Sequence, residues 1–496
     1  MMKKIKILTG LFILSLTGCN KYLEENPQGT FSSATFYKSQ NDALVALNGV
    51  YNSAAFVNPM NQLWVFGDVA SDDAVKGGQP YTIIDAQAID QFNYKQTNTV
   101  LADVWQYYYE GISRANYVLY YVPAIGMDAK IKNQILGEAR FLRAYFYFNL
   151  VNIYGAVPLK LSPPLTPAQI NVAQSPVDNI YKQIEEDLGF ASKVLPKTNS
   201  VTDIGRATKG SAFGLLAKAH LYQQHYSDAL AAIDSLEASA AYSLVPVYKN
   251  NFLDSTQNNS ESIFEIQHLS GQSPSLGSFL NQYFSPNTSI SAGYYLDAPT
   301  QNFIDEFETT SSAVVDPRLD YTVGRVGNNW VNGEPFDPTW SPTGYLNRKH
   351  SQSKYDAPVI GNSGLDYVYM RYSDVLLMKA EVLNELNRGV EAIVPLNLVR
   401  KRARESFLYD QGLSGFGVIP TNLLPDVVYS DQLTLRAAIQ HERRVELGFE
   451  FHRYFDLMRY GKQVAEAAMG STGFTYTQRY FLIPQTELDT NPAITK

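Results

Sequence analysis

The sequence predicts a mainly α fold, with tetratricopeptide-like helix hairpins forming a curved scaffold, a large irregular loop-rich insertion and a few short strands. Three observations carry this. Apolar residues recur at 3–4 spacing in long segments on both sides of the chain's middle. Across 205–237, small Ala and Gly alternate with Leu and Tyr at helix-hairpin spacing, which lets paired helices approach closely. Between 251 and 366 that periodicity fades, and Ser, Asn, Gly, Pro and aromatics take over.

The chain opens with Lys3, Lys4 and Lys6, then an apolar run over 7–16, then Leu16-Thr17-Gly18-Cys19. This is the layout of a secretory signal over 1–18, too short for a spanning helix. Small residues before a cysteine resemble a bacterial lipobox. Cys19 is the single cysteine among 496 residues, so it has no internal disulfide partner. The reading is a mature N-terminus acylated at Cys19 and anchored to a membrane by lipid alone. Each buried CH₂ of such chains contributes about 0.8 kcal/mol. Residues 19–36 are polar, with Pro27 and Gly29, and read as the lipidated tether.

An N-terminal helical region is expected over 37–250. Ala43, Leu44, Leu47, Val50 and Tyr51 mark its first helix. A second covers 104–121, with Trp105, Tyr108, Ile112, Ala115 and Leu119 on one stripe, and ends at Pro123 and Gly126. A third, densely aromatic, covers 131–154 and stops at Gly155. Ser175 as N-cap and Pro176 as first helical residue start a fourth, ending at Leu195-Pro196. The pair within 205–237 follows. Residues 251–366 form the loop-rich region expected to bind ligand, with one alternating segment, 262–267, reading as a strand. Loops held by a rigid scaffold are where binding concentrates. Residues 367–496 read as a C-terminal helical region packing back on the scaffold, with helices at 371–386 and 391–404.

Composition narrows the function classes. Without its three early lysines the chain carries 37 of its 40 basic residues against 48 acidic ones, a formal charge of −11. Such a body disfavours nucleic acid. There are 34 Tyr and 25 Phe but only 4 Trp, and Tyr offers a flat face with a polar tip. No Gly-x-Ser-x-Gly elbow and no His-Glu-x-x-His occurs. His220 and His225 are five apart, off one helical face, so no metal and no cofactor is expected. Acid pairs such as Asp72-Asp73, Glu185-Glu186-Asp187 and Asp305-Glu306 do not supply a glycosidase pair by adjacency alone.

Several segments in order resemble the SusD/RagB family of Bacteroidetes surface lipoproteins. They are Asn26-Pro27, the run 138–144 (EARFLRA), Gly205-Arg206-Ala207-Thr208, the run 370–385, the run 441–461 (HERRVELGFEFHRYFDLMRYG), and Phe481-Leu482-Ile483-Pro484 followed by Asn491-Pro492. The resemblance implies a non-catalytic nutrient receptor, most often for a glycan or oligosaccharide, at the outer-membrane cell surface. Its implied partner is a SusC-like TonB-dependent transporter. Two other readings stay open: a secreted glycoside hydrolase with a helical scaffold, and a peptide-binding assembly protein. The resemblance also places Phe451 where Gly is common, which implies altered local packing.

The charged run reads as a structural network rather than a carboxylate pair, with Arg443 spaced to meet Glu446 or Glu450. In the family, ligand sites involve an early loop, here 64–94, and the central irregular region. Bare aromatic faces stack on sugar C–H faces, while amides and charged groups orient hydroxyls. The expected stacking residues are Tyr81, Tyr294, Tyr295, Trp330 and Trp340. Asp73, Lys76 and Asn329 are the expected polar contacts.

Overall fold

The computed structural model describes residues 36–57, 60–288, 292–331, 333–353 and 356–494. The signal segment, Cys19 and almost all of the tether lie outside these residues.

Helix α1 (Gln40–Asn52) starts with a reciprocal cap, Ser39 and Asp42 each bonding the other's backbone N–H. After the short helix α2 (Ile84–Asp90) come α3 (Thr99–Tyr121) and α4 (Ala129–Tyr154). Both long helices begin earlier than the apolar stripe suggests, because Asn98 and Asp128 cap them with side-chain oxygens. A Cβ on Gly111 would meet the Phe146 ring at 2.4 Å, so a glycine is needed for α3 and α4 to lie this close. Trp105, Tyr108, Ile112 and Ala115 are buried as the stripe predicts.

Helix α5 (Val177–Val194) starts one residue later than expected. Pro176 takes the N-cap position without a side-chain bond, and Ser175 instead pairs with Val157 in a two-residue ladder. Helices α6 (Lys209–Tyr222) and α7 (Tyr226–Glu237) form the expected hairpin, and α5 packs on both α4 and α6. Helices α8 (Tyr372–Glu385) and α9 (Gly389–Tyr409) form another, with α10 (Gln432–Leu447) across α8 and the short α11 (Arg453–Tyr460) beyond.

Four short strands stitch the irregular region to this scaffold. Strand β1 (Ala74–Gly77) pairs antiparallel with β3 (Leu296–Pro299), in register Ala74 to Pro299 and Gly77 to Leu296. Strand β2 (Ser262–Ile266) pairs with β4 (Tyr367–Arg371), which runs directly into α8. The first pairing brings the early loop and the central region together, and that sets the site. None of the described helices is long and apolar enough to cross a membrane.

Candidate functional site

The β1–β3 ribbon ends in the turn Gly77-Gly78-Gln79-Pro80. Gly77 and Gly78 adopt φ of 67° and 66°, and a Cβ on Gly77 would meet the Tyr295 carbonyl at 2.4 Å. Only glycine gives both the left-handed turn and that approach. The Gly78 N–H then donates to the Tyr295 carbonyl at 3.0 Å. Lys76 Nζ donates to the carbonyls of Gln79 and Thr82, each at 2.8 Å. This clamp holds Tyr81 outward, 75% exposed. The Gln79 side chain lies beside the Tyr295 hydroxyl, whose pKa is raised by partial burial and then by neighbouring Tyr81.

Tyr295 and Trp340 pack on one small core of Trp330, Phe336 and Leu346. The Trp340 ring meets Phe336 edge-on at 5.3 Å. Trp340 closes the turn Pro338–Trp340, which Asp337 caps by accepting the Thr339 N–H at 2.8 Å. Asn329 lies at the edge of the surface, in the neighbouring Asn329–Pro335 bridge. Tyr295 and Trp340 therefore rest on one small core, with Tyr81 beside Tyr295 and Asn329 exposed in the adjoining bridge. Tyr294 points elsewhere, its ring 6.3 Å from Tyr283 in the main core.

Three expected contacts are corrected by their burial. Trp330 is only 3% exposed and fills the core beneath the surface, with its ring 6.1 Å from Phe336. Lys76 is spent on the turn; its pKa is lowered by burial, against the pull of Asp90. Asp73 is fully buried and accepts from Arg444 Nε at 2.7 Å. Burial raises the Asp73 pKa, while Arg444 and Arg453 oppose that shift. Beyond the expected contacts, Gln79 lies beside this surface and Phe336 fills the core beneath it with Trp330. The Gly-Gly-x-Pro turn signals the first; no local signal marks the second.

The charged run is a buried network. Arg371 bonds Glu261, Glu446 and Glu450, and Arg318 bonds Asp316, Glu442 and Glu446. Arg443 does not meet Glu446 or Glu450; it reaches Asp374 at 2.9 Å and Asp456 at 3.3 Å. Arg371, Arg402, Arg318 and Lys349 already occupy those two glutamates. Burial alone would raise Glu450, but Arg371 and Lys349 outweigh it and hold the carboxyl at about 2. Next to the ribbon, Arg453 forks onto Asp72 at 2.8 and 2.9 Å. Arg444 joins Asp72, Asp73 and Glu306. Asp72, Asp73 and Glu306, at the base of the ribbon, thus each face a guanidinium.

These features define a mainly α, tetratricopeptide-like scaffold protein that presents aromatic loops on a strand ribbon. A family model described as "SusD family" matches residues 260–494, and one described as "Starch-binding associating with outer membrane" matches 21–221. The chain belongs to the SusD/RagB family. It is 28% identical over 484 residues to a SusD-like protein of Formosa agariphila, covering 92% of this chain and 91% of the relative. A second Formosa agariphila SusD-like protein is 29% identical, covering 93% of each chain. Among solved structures, a SusD superfamily protein from Bacteroides vulgatus superposes with a TM-score of 0.77 at 24% identity, covering 93% and 99%. A laminarin-binding SusD-like protein superposes at 0.75 and 27%, covering 92% and 99%. Surface glycan-binding protein A from Bacteroides thetaiotaomicron, in complex with laminarihexaose, superposes at 0.74 and 21%, covering 91% and 98%.

Proposed function

We propose that this chain is an outer-membrane surface receptor that binds a glycan or oligosaccharide and passes it, unaltered, to a SusC-like TonB-dependent transporter. In this reading Cys19 carries the lipid anchor. The observation that carries the proposal is the surface at Tyr295 and Trp340, which rest on one small core, with Tyr81 beside Tyr295 and clamped outward by buried Lys76. Exposed rings on a fixed backbone stack on sugar faces at low entropic cost, and Gln79 and Asn329 supply amides beside them. The carboxylates at the base of that surface, Asp72, Asp73 and Glu306, are neutralised by Arg444 and Arg453, which favours binding over hydrolysis. The laminarin-binding relative and the family description naming starch and the outer membrane support the same reading.

The test is affinity electrophoresis against laminarin, starch and a panel of other polysaccharides, with the incubated glycans then sized by chromatography. Retarded migration with intact glycan is expected. Shortened products would replace this reading with the hydrolase. Co-purification of an outer-membrane barrel with the full chain tests the transporter step, and release from membranes by Cys19→Ser tests the anchor.

A further inference from the structure

We propose that Glu185, His220 and His225 form a binding site for one divalent transition-metal ion of the zinc class, in the helical scaffold and apart from the aromatic ribbon. Five residues along one helix separate two side chains by roughly 140° around the axis. His220 and His225 are not on one helix. His220 lies in the last turn of α6, and His225 immediately precedes α7. Gln224, at φ 60°, reverses the chain between them, and the His225 N–H donates to the His220 carbonyl at 2.9 Å. The two imidazole centroids come within 6.2 Å.

Glu185 on α5 supplies the third group. Its Oε1 lies 3.4 Å from His220 Nδ1 and accepts from Gln223 Nε2 at 2.7 Å, which orients the carboxylate. One ligand atom from each of the three residues lies within 4.8 Å of the others. Bonds of about 2.0–2.1 Å in a tetrahedral site put ligand atoms roughly 3.3 Å apart. Closing that gap takes at most about 1.5 Å of movement, and the exposed His225 ring can make it. Imidazole with one carboxylate suits zinc, cobalt, nickel or copper, and not calcium or magnesium.

Charge separates this trio from the other one of similar spacing. Glu308, His441 and Glu442 also lie close together, but both of those glutamates clamp Arg400, at 2.7 and 2.8 Å. Glu442 further bonds Arg318 at 2.5 Å, so a cation would have to displace two guanidiniums. Among the described residues, the ion pair made by Glu185 is with His220 alone. The site also opens onto a cleft of about 650 Å³ lined by Tyr181, Tyr222 and Arg479. Three protein ligands leave a fourth position there for water or a ligand from the cleft. Bound metal would tie α5 to the α6–α7 hairpin.

The test uses the full chain in detergent, without a polyhistidine tag, titrated with Zn²⁺ by calorimetry and with Co²⁺ by visible absorption. One equivalent of either ion is expected, with a cobalt d–d band. His225→Ala and Glu185→Gln should each weaken binding by roughly tenfold or more while leaving the metal-free melting temperature unchanged. Ca²⁺ should not compete. No uptake by the wild type, or undiminished uptake by both variants, would overturn the site.

Discussion

Arg444 on α10 donates its Nε to Asp73 at the start of the β1 segment, 2.7 Å away and 371 residues apart in the chain. The same guanidinium reaches Asp72, Glu306 and the side-chain carbonyl of Asn302. One residue of the helical scaffold therefore anchors the base of the aromatic ribbon.

Replacing Arg444 with Ala would leave Asp73 buried with its main counter-charge gone. Breaking such a pair costs about 3–5 kcal/mol, because the remaining charge stays desolvated. Arg444→Ala is expected to lower stability by about 3 kcal/mol in chemical denaturation. Arg444→Lys should recover only part, since an ammonium lacks the fork that reaches several acceptors. Full stability in the Ala variant, with glycan binding gone, would move Arg444 from anchor to ligand contact.

Trp330 and Trp340 belong to one cluster but carry different loads. Trp330 is buried, so Trp330→Ala should cost about 3–5 kcal/mol of stability. Trp340 is only partly covered and Tyr81 is exposed, so Trp340→Ala and Tyr81→Ala should change the melting temperature little. Each is expected to weaken glycan retention by roughly tenfold, about 1.4 kcal/mol of lost stacking. Affinity electrophoresis and thermal melts on the same three variants separate the two roles. Wild-type retention in both surface variants would remove the ribbon from the site.

The sequence made the scaffold legible because helices leave a local trace. The stripe at Trp105, Tyr108 and Ile112 and the small residues of 209–237 each report on their own neighbourhood. The site was legible only as two separate sets of residues, one early and one central. Nothing local says that Gly77 lies opposite Leu296, since that pairing spans more than 200 residues. For the same reason Asp73 and Lys76 read as ligand contacts. A charged residue in a turn looks alike whether it meets solvent or, as here, Arg444 and the carbonyls of Gln79 and Thr82. His220 and His225 fall off one face only if a single helix carries both, and the turn at Gln223-Gln224 puts them on two.

Asp366 gives a pH prediction. Its carboxyl is pushed up to about 8, by burial first and then by neighbouring Glu265. A carboxyl raised in the folded state holds a proton that the unfolded chain releases near pH 4. Its contribution to stability is therefore complete below about pH 4 and is lost as pH rises toward 8. Asp366→Asn keeps the acceptor for the His268 N–H, now at 2.6 Å, and cannot ionise. The variant should be more stable than wild type at pH 8.5, with the gap closing by pH 4. Denaturation at the two pH values checks it; a constant gap would mean that Asp366 is ionised in the folded state.

Phe451 sets backbone strain against packing. It sits at φ 66°, a left-handed conformation that costs a residue with a Cβ about 1–2 kcal/mol. Its ring stacks on Tyr367 at 4.9 Å and on His350 at 5.0 Å, and it is 1% exposed. Deleting a buried Phe ring costs about 3–5 kcal/mol. Packing outweighs strain, so Phe451→Gly should relax the backbone yet lose about 2 kcal/mol overall, measured by chemical denaturation. A second readout comes from His350, which burial depresses to about 4. Opening a cavity beside its imidazole admits water and should bring that value upward, visible in its proton chemical shift against pH. A Gly variant as stable as wild type, with His350 unmoved, would show that the neighbouring rings close over the gap and that relief of strain offsets the lost ring.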